Sequence, residues 1–421
     1  MSARCLVGVR SMIRRFLFGC VAVLTLGAGL ATAQLDKPLP QALTGEANRA
    51  YETYLTPTET PAFNMPSRME NPVWVRAEGL LSWSNSATLP PLLTTSPAGT
   101  ARGTAGVFGS PGFETLIGGS TNNGYRNGVA FGFGVQPFSD YSAGIELGFS
   151  VLNNRDSLFF DSSDSSRILG RPFTIAGTGQ GQAVLVAFPG LSSGSFEARA
   201  SSGNLYVSNI TATDRIVDTG RFHLVALAGY RRYDMQEELN LLQRIVATDP
   251  NVVPGTTIQT YDRFRTNDTF HGADLGFRAE VVDGPIAFEV LTRMAIGQLT
   301  RTVDIRGNQI INVPGAPPVV NNGGMLALVS NIGQYRTQSV QIMPEIGTTG
   351  KWQITRHLEL RVGYSLFLLQ GVARPADQID TTISPNNFPP VVAPQGASPA
   401  PILRTSNIWV QNLSLGLNFG F

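Results

Sequence analysis

Charged side chains of both signs recur two or four positions apart along this chain: Arg76 with Glu78, Asp274 with Arg278 and Glu280, Glu289 with Arg293, and Glu359 with Arg361. Glu146 stands among glycines and serines. A spacing of two puts side chains on one face of a β-strand. Carboxylates and guanidiniums gathered on such faces can line a path and select solutes by charge, or they can neutralise one another as a structural filling. Both readings stay open at this level. A second candidate chemistry is nucleophilic. Gly190-Leu191-Ser192-Ser193-Gly194 matches G-x-S-x-G after the apolar run Val184 to Phe188. A nucleophile elbow needs a strand before it and a helix after it, but residues 195–204 have no helical periodicity. His223, His271 and His357 fall singly on different expected strands, so no zinc site is expected. Gly177, Gly179 and Gly181 lack the following helix that a phosphate loop requires. No enzyme activity and no cofactor are expected.

The elements that must position the charges are strands. Ile145, Leu147, Phe149 and Val151 alternate with Glu146, Gly148 and Ser150. The same period recurs around Val75 and Ala77, Phe131 and Phe133, Leu275 and Phe277, Phe288 and Ile296, Leu360 and Val362, and Leu413 to Phe421. Each segment therefore has one apolar and one polar face. Several run to about 11 residues, the length of a tilted membrane-crossing strand. A lipid-facing arginine costs about 2–4 kcal/mol at the bilayer midplane, so the charged faces must point inward.

Strands are expected at 73–83, 128–136, 141–152, 204–213, 219–231, 269–282, 286–299, 338–348, 357–370 and 407–421. Connections between them alternate long and short, as in barrels with short periplasmic turns and long external loops. The expectation is an all-β, antiparallel transmembrane β-barrel of about 10–12 strands. Asn153–Phe160 or Met235–Val246 could supply an extra hairpin. Thr381 to Pro401 and Pro314 to Asn322 are Pro-rich and expected to be solvated external loops, with folding inward as a constriction the alternative for either. Trp74, Trp83, Trp352 and Trp409 sit near strand ends, but Trp74 and Trp83 differ in parity, so only one of those two can face lipid.

Composition agrees with this class. Charged residues are 14% of 421, and Gly numbers 45. Arg10, Arg14 and Arg15, an apolar stretch from Phe16 to Leu30 and Ala31-Thr32-Ala33 read as a signal peptide over 1–33. A periplasmic leader is expected over 34–72 and the barrel over 73–421. Losing the four arginines of the signal takes the net charge from +1 to −3. With only Lys37 and Lys351 as lysines, no nucleic-acid partner is expected. Cys5 and Cys20 both lie in the signal, leaving no disulfide or thiolate site in the mature chain.

The terminal run Ser414 to Phe421, with Gly416, Phe419 and Phe421, resembles the sorting signal of outer-membrane barrels, which implies barrel-assembly machinery as a partner. Longer phrases resemble the beta-barrel porin family of planctomycete-type bacteria. They are Trp74 to Glu78, Leu89 to Ser96, Val107 to Gly112, His271 to Glu280, Ser330 to Gly333 and Arg374 to Asp380. The resemblance implies an outer-membrane location, multi-pass in the bilayer, and a porin-like channel for small hydrophilic solutes. The alternative is a non-conducting structural or adhesive barrel acting through its external loops. Oligomeric state and solute are not legible.

Overall fold

The computed structural model describes residues 72–121, 124–137, 142–391 and 396–421. The expected signal peptide and all but Pro72 of the expected leader lie outside them. Ten strands form the barrel: β1 (Val73–Ser84), β2 (Tyr125–Val135), β3 (Ala143–Leu152), β4 (Ser192–Asp218), β5 (Phe222–Ala247), β6 (Thr257–Asp283), β7 (Ile286–Asn312), β8 (Gly333–Gln353), β9 (Leu358–Val372) and β10 (Ser406–Gly420). Each is antiparallel to its neighbours in sequence. Pairing of β1 with β10, from Trp74↔Gly420 to Ser84↔Val410, closes the ring. Closure leaves no edge among the membrane-crossing strands, which lipid requires because it offers no hydrogen bonds.

The period-two pattern becomes an inside and an outside. Phe131, Phe133, Ile145, Leu147, Phe149, Phe288, Ile296, Leu415 and Leu417 are exposed on the outer wall, whereas Asp274, Glu280, Glu289, Glu359 and Arg361 are buried within. The apolar belt has a sharp upper limit. On β7 the outward series Ile286, Phe288, Met294, Ile296 gives way to Gln298, Thr300, Thr302, Asp304 and Arg306. The belt lies at the end that carries both described termini and the short turns. One of these is the Gly284-Pro285 turn, where Gly284 takes φ 56°, a conformation a two-residue hairpin favours glycine to supply.

Four strands run well past the belt. β4, β6 and β7 have 27 residues and β5 has 26, against about 9–11 needed to cross. Segments expected as long loops, 232–268 above all, are instead continuations of these strands, joined by a short turn at 248–256. Sequence polarity misled there, because above the belt the outer face meets water and carries Arg232, Asp234, Glu238 and Arg263. Met235–Val246 belongs to β5. Arg155–Ser163 is a separate strand that pairs only with the upper part of β4, so neither adds a membrane crossing.

Inside the extended wall sits a cap. Strands Thr88–Thr95, Glu114–Ser120, Leu169–Ile175, Gly181–Ala187 and Thr382–Ile383 form a second sheet. Its Leu92, Leu93, Leu169, Val186 and Ile383 pack against inward Phe196, Leu239, Leu241, Phe264 and Ile305 of the wall. Thr381 to Pro401 was expected first as a solvated loop and second as an inward fold. The second holds for the described residues from Ala373 on, which turn inward and bury Ala376, Gln378, Ile379, Ile383 and Asn387. Their prolines open two short 3-10 turns, Pro375–Gln378 and Pro385–Asn387. The other Pro-rich stretch stays outside, with Val319 and Val320 exposed.

Candidate functional site: the barrel interior

The interior has three layers. At the periplasmic end, eight of the charges singled out in the sequence meet: Arg76, Glu78, Glu146, Arg278, Glu280, Glu289, Glu359 and Arg361. Arg278 on β6 reaches across the lumen to Glu146 on β3 with two hydrogen bonds, 2.8 and 2.6 Å. Glu289 is held by Lys351 at 2.5 Å and lies 3.7 Å from both Arg361 and Arg278. Lys351 also reaches Glu280 at 3.3 Å. Arg361 bonds Glu359 at 3.0 Å and Glu78 at 3.2 Å, and Arg76 stands 3.6 Å from Glu78. Arg278 and Glu146 stand three strands apart in the ring, and Lys351 and Arg361 each reach strands two away, so the network bridges this end of the lumen. A polar cavity of about 150 Å³ remains beside it.

Asp274 and Arg293 do not join that network. They pair with each other one layer higher, where Arg293 also donates to Thr211 at 2.8 Å and Arg231 pairs with Glu345 across the lumen. The sequence reading missed Lys351, Arg231 and Glu345. Lys351 lay beyond the expected end of its strand. The other two carried the available signal, a charge within a membrane strand, which lipid forces inward. Trp74 also faces inward, its ring 5.5 Å from the Arg76 guanidinium. Trp83 takes the outward parity.

Above the charges lies an apolar layer. Inward Leu152, Leu205, Val207, Tyr233, Met235, Phe270, Leu299, Met343, Phe367, Leu369, Ile408 and Val410 form one buried cluster, with Leu80 packed against it. These residues come from every barrel strand except β2, so the layer spans the cross-section. Tyr233 and Phe270, paired in register, stack at 5.3 Å and 8°.

The third layer is the root of the inward segment. Arg374 makes a two-bond contact with Glu237, 2.9 and 3.0 Å, both side chains buried. The Ala373 N–H donates to Asp268 at 3.1 Å, and Arg301 donates to the Gly371 carbonyl. Asp268 lies above the apolar belt, beside outward Asn267 and Thr269. Burial pushes its carboxyl up to about 8, against the Ala373 N–H, with Glu237 adding to the push.

Remaining candidates are dispersed. Ser192 lies at the extracellular end of β4. His223 lies at the periplasmic end of β5, 3.3 Å from Asp218. His271 faces outward against Tyr230, and His357 sits in a periplasmic turn against the Gly420 carbonyl at 2.9 Å. Among the described residues no group of His, Cys, Asp or Glu is gathered for a metal ion. At the last strand, Gly416 faces inward, where a Cβ would fall 2.4 Å from the Glu78 side chain. Phe419 and Phe421 are exposed and meet edge to face at 4.9 Å.

A closed antiparallel ring with an apolar belt outside and charges within defines an outer-membrane β-barrel. The chain belongs to the family described as Putative beta barrel porin-7, which matches residues 74–421. Solved structures with some likeness include the outer membrane protease OmpT from Escherichia coli, at TM-score 0.38 and 9% identity over 83% of this chain and 97% of that one. The transport unit of the autotransporter AIDA-I from Escherichia coli has TM-score 0.24 and 9% identity over 89% and 98%. The P. putida toluene transporter TodX has TM-score 0.22 and 9% identity over 84% and 93%. At these scores none of their activities transfers to this chain. No curated protein matches it.

Proposed function

We propose that this porin-family barrel is closed at rest and acts through its extracellular cap. The apolar layer carries this reading. It is built from the wall's own side chains, so moving a loop does not remove it, and an ion would have to shed its water to cross it. Barrels near eight strands fill with side chains, whereas 16 to 18 leave an aqueous channel; ten strands stand near the filled end. Passive diffusion of small hydrophilic solutes is the second reading, favoured by family membership and by the polar periplasmic cavity. It requires the layer and the cross-lumen pairs to part. No reaction or cofactor belongs to either reading, and the exposed terminal aromatics suit recognition by barrel-assembly machinery.

Planar-bilayer conductance of the refolded chain 34–421 separates the two. Silent bilayers from verified folded barrels are the expected result. Discrete, reproducible openings would establish the diffusion reading instead, and their reversal potential under a salt gradient would report whether carboxylates or arginines dominate the path.

A further inference from the structure

The outer edge of β7 changes partner partway along. From Ile286 to Ile305 it pairs with β8, and from Asn308 to Ile311 with the short strand Val319–Asn322. Arg306 and Gly307 lie between the two ladders, and the gap leaves a groove of about 550 Å³ on the outer face of the extended wall. Its walls include Tyr261, Asp304, Arg306, Asn308, Asn322 and Gln334. This is well above the apolar belt, which ends at Ile296.

The back of the groove is fixed. Gly323 N–H donates to the Gly307 carbonyl at 3.0 Å, and a Cβ on Gly307 would meet the Ala327 carbonyl at 2.3 Å. The chain behind it is stapled by Asp262. One carboxylate oxygen accepts the N–H groups of Met325, Leu326 and Ala327 at 2.8, 2.9 and 2.9 Å. The other lies 3.3 Å from Arg171. Both side chains are almost fully buried, so the wall carrying Asn322 is held in place.

We propose that this groove binds a neutral carbohydrate. Its volume falls within the usual range for ligand sites, about 300–1,000 Å³. Asn308 and Asn322 face each other in register. Their amides and that of Gln334 make no side-chain hydrogen bond among the described residues. An amide offers donors and an acceptor together, which matches a hydroxyl that is itself both. The one charge pair, Asp304 with Arg306 at 3.0 Å, is already neutralised, so the groove carries no excess charge to attract an ion. Tyr261, its hydroxyl held by Asn240 at 2.5 Å, supplies an aromatic wall for the apolar C–H groups of a sugar ring.

The proposal rests on the reading of a barrel that acts through its extracellular part, and it places a site there on the wall that surrounds the cap. Its test is independent of conductance, so a conducting barrel that binds glycan would overturn only the closed-barrel reading. The folded chain, in lauryldimethylamine oxide so that no detergent sugar competes, is titrated calorimetrically with maltohexaose, cellohexaose and chitohexaose. At least one is expected to bind at millimolar concentration or below, and Asn308→Ala and Asn322→Ala each to weaken it about tenfold or more. Gln334→Ala, on the exposed start of β8, gives a second reading if either variant fails to fold. Binding of none of the three, binding unaffected by all three substitutions, or tighter binding of a charged oligouronate would overturn the proposal.

Discussion

At the periplasmic end Arg278 spans the lumen to Glu146, while higher up Tyr233 stacks on Phe270 in the same barrel. Both contacts fill the interior, by opposite physics. The ionic layer draws charges out of water at a cost of several kcal/mol per ion, returned only if every partner is present. The apolar layer needs no partner geometry, since its gain scales with area removed from water. One layer is therefore fragile to the loss of a single group and the other to the loss of volume. The sequence concedes this arrangement by placing small residues, Gly132, Gly134 and Gly148, inward at the ionic level, where long side chains from other strands need room. A Cβ on Gly134 would stand 2.2 Å from the Trp74 ring.

The largest effect is expected from Glu289→Ala. It leaves Lys351 with one carboxylate neighbour and removes a shared partner of Arg361 and Arg278. Breaking a buried pair in this way costs about 3–5 kcal/mol, and the upper end is expected here, read from the urea midpoint of folded protein in micelles. Replacing Glu289 and Lys351 together by methionine should recover most of that loss. If the single change is neutral, the ionic layer is as tolerant as the apolar one and the contrast fails.

Next is Phe270→Ala. A cavity from a large core side chain costs about 3–5 kcal/mol, with the lower end expected if Tyr233 collapses into the gap. The same variant should admit water and raise bilayer conductance above that of the parent. An unchanged conductance with the expected destabilisation would locate the seal in the cap rather than in the apolar layer.

The shallowest effect, taken per pH unit, concerns Asp268, at the junction of wall and inward segment. Its carboxyl is raised from 3.8 to about 8 by burial. Between these values the unfolded chain is ionised and the folded one neutral. Stability should therefore fall as pH rises from about 4 to about 8, by up to about 1.4 kcal/mol per pH unit, and then level off. Asp268→Asn keeps an acceptor for the Ala373 N–H and should flatten that slope. Urea midpoints across pH check it; a slope that survives the substitution assigns the titration elsewhere.

Much of the wall was legible. Glu146 between Ile145 and Leu147, or Glu289 between Phe288 and Val290, shows its facing directly, because a strand has two sides and lipid tolerates charge on neither end of a wrong choice. Above the belt that rule lapses. The outer face there is wet, so Arg232, Asp234 and Glu238 look like loop residues although they continue β5. Arg374 shows the same limit. Nothing in Arg374-Pro375-Ala376 signals that the guanidinium will be buried against Glu237, on another strand far away in sequence.

Alternation and composition by themselves determined the class of protein, a transmembrane barrel with charges inward, because burial in lipid acts on each strand locally. Which charges meet, whether the lumen is filled, and where the extended wall leaves a groove were decided only by tertiary structure. Those properties depend on strand register and on which walls face each other across the ring, and side chains on β3 and β6 hold no local record of one another.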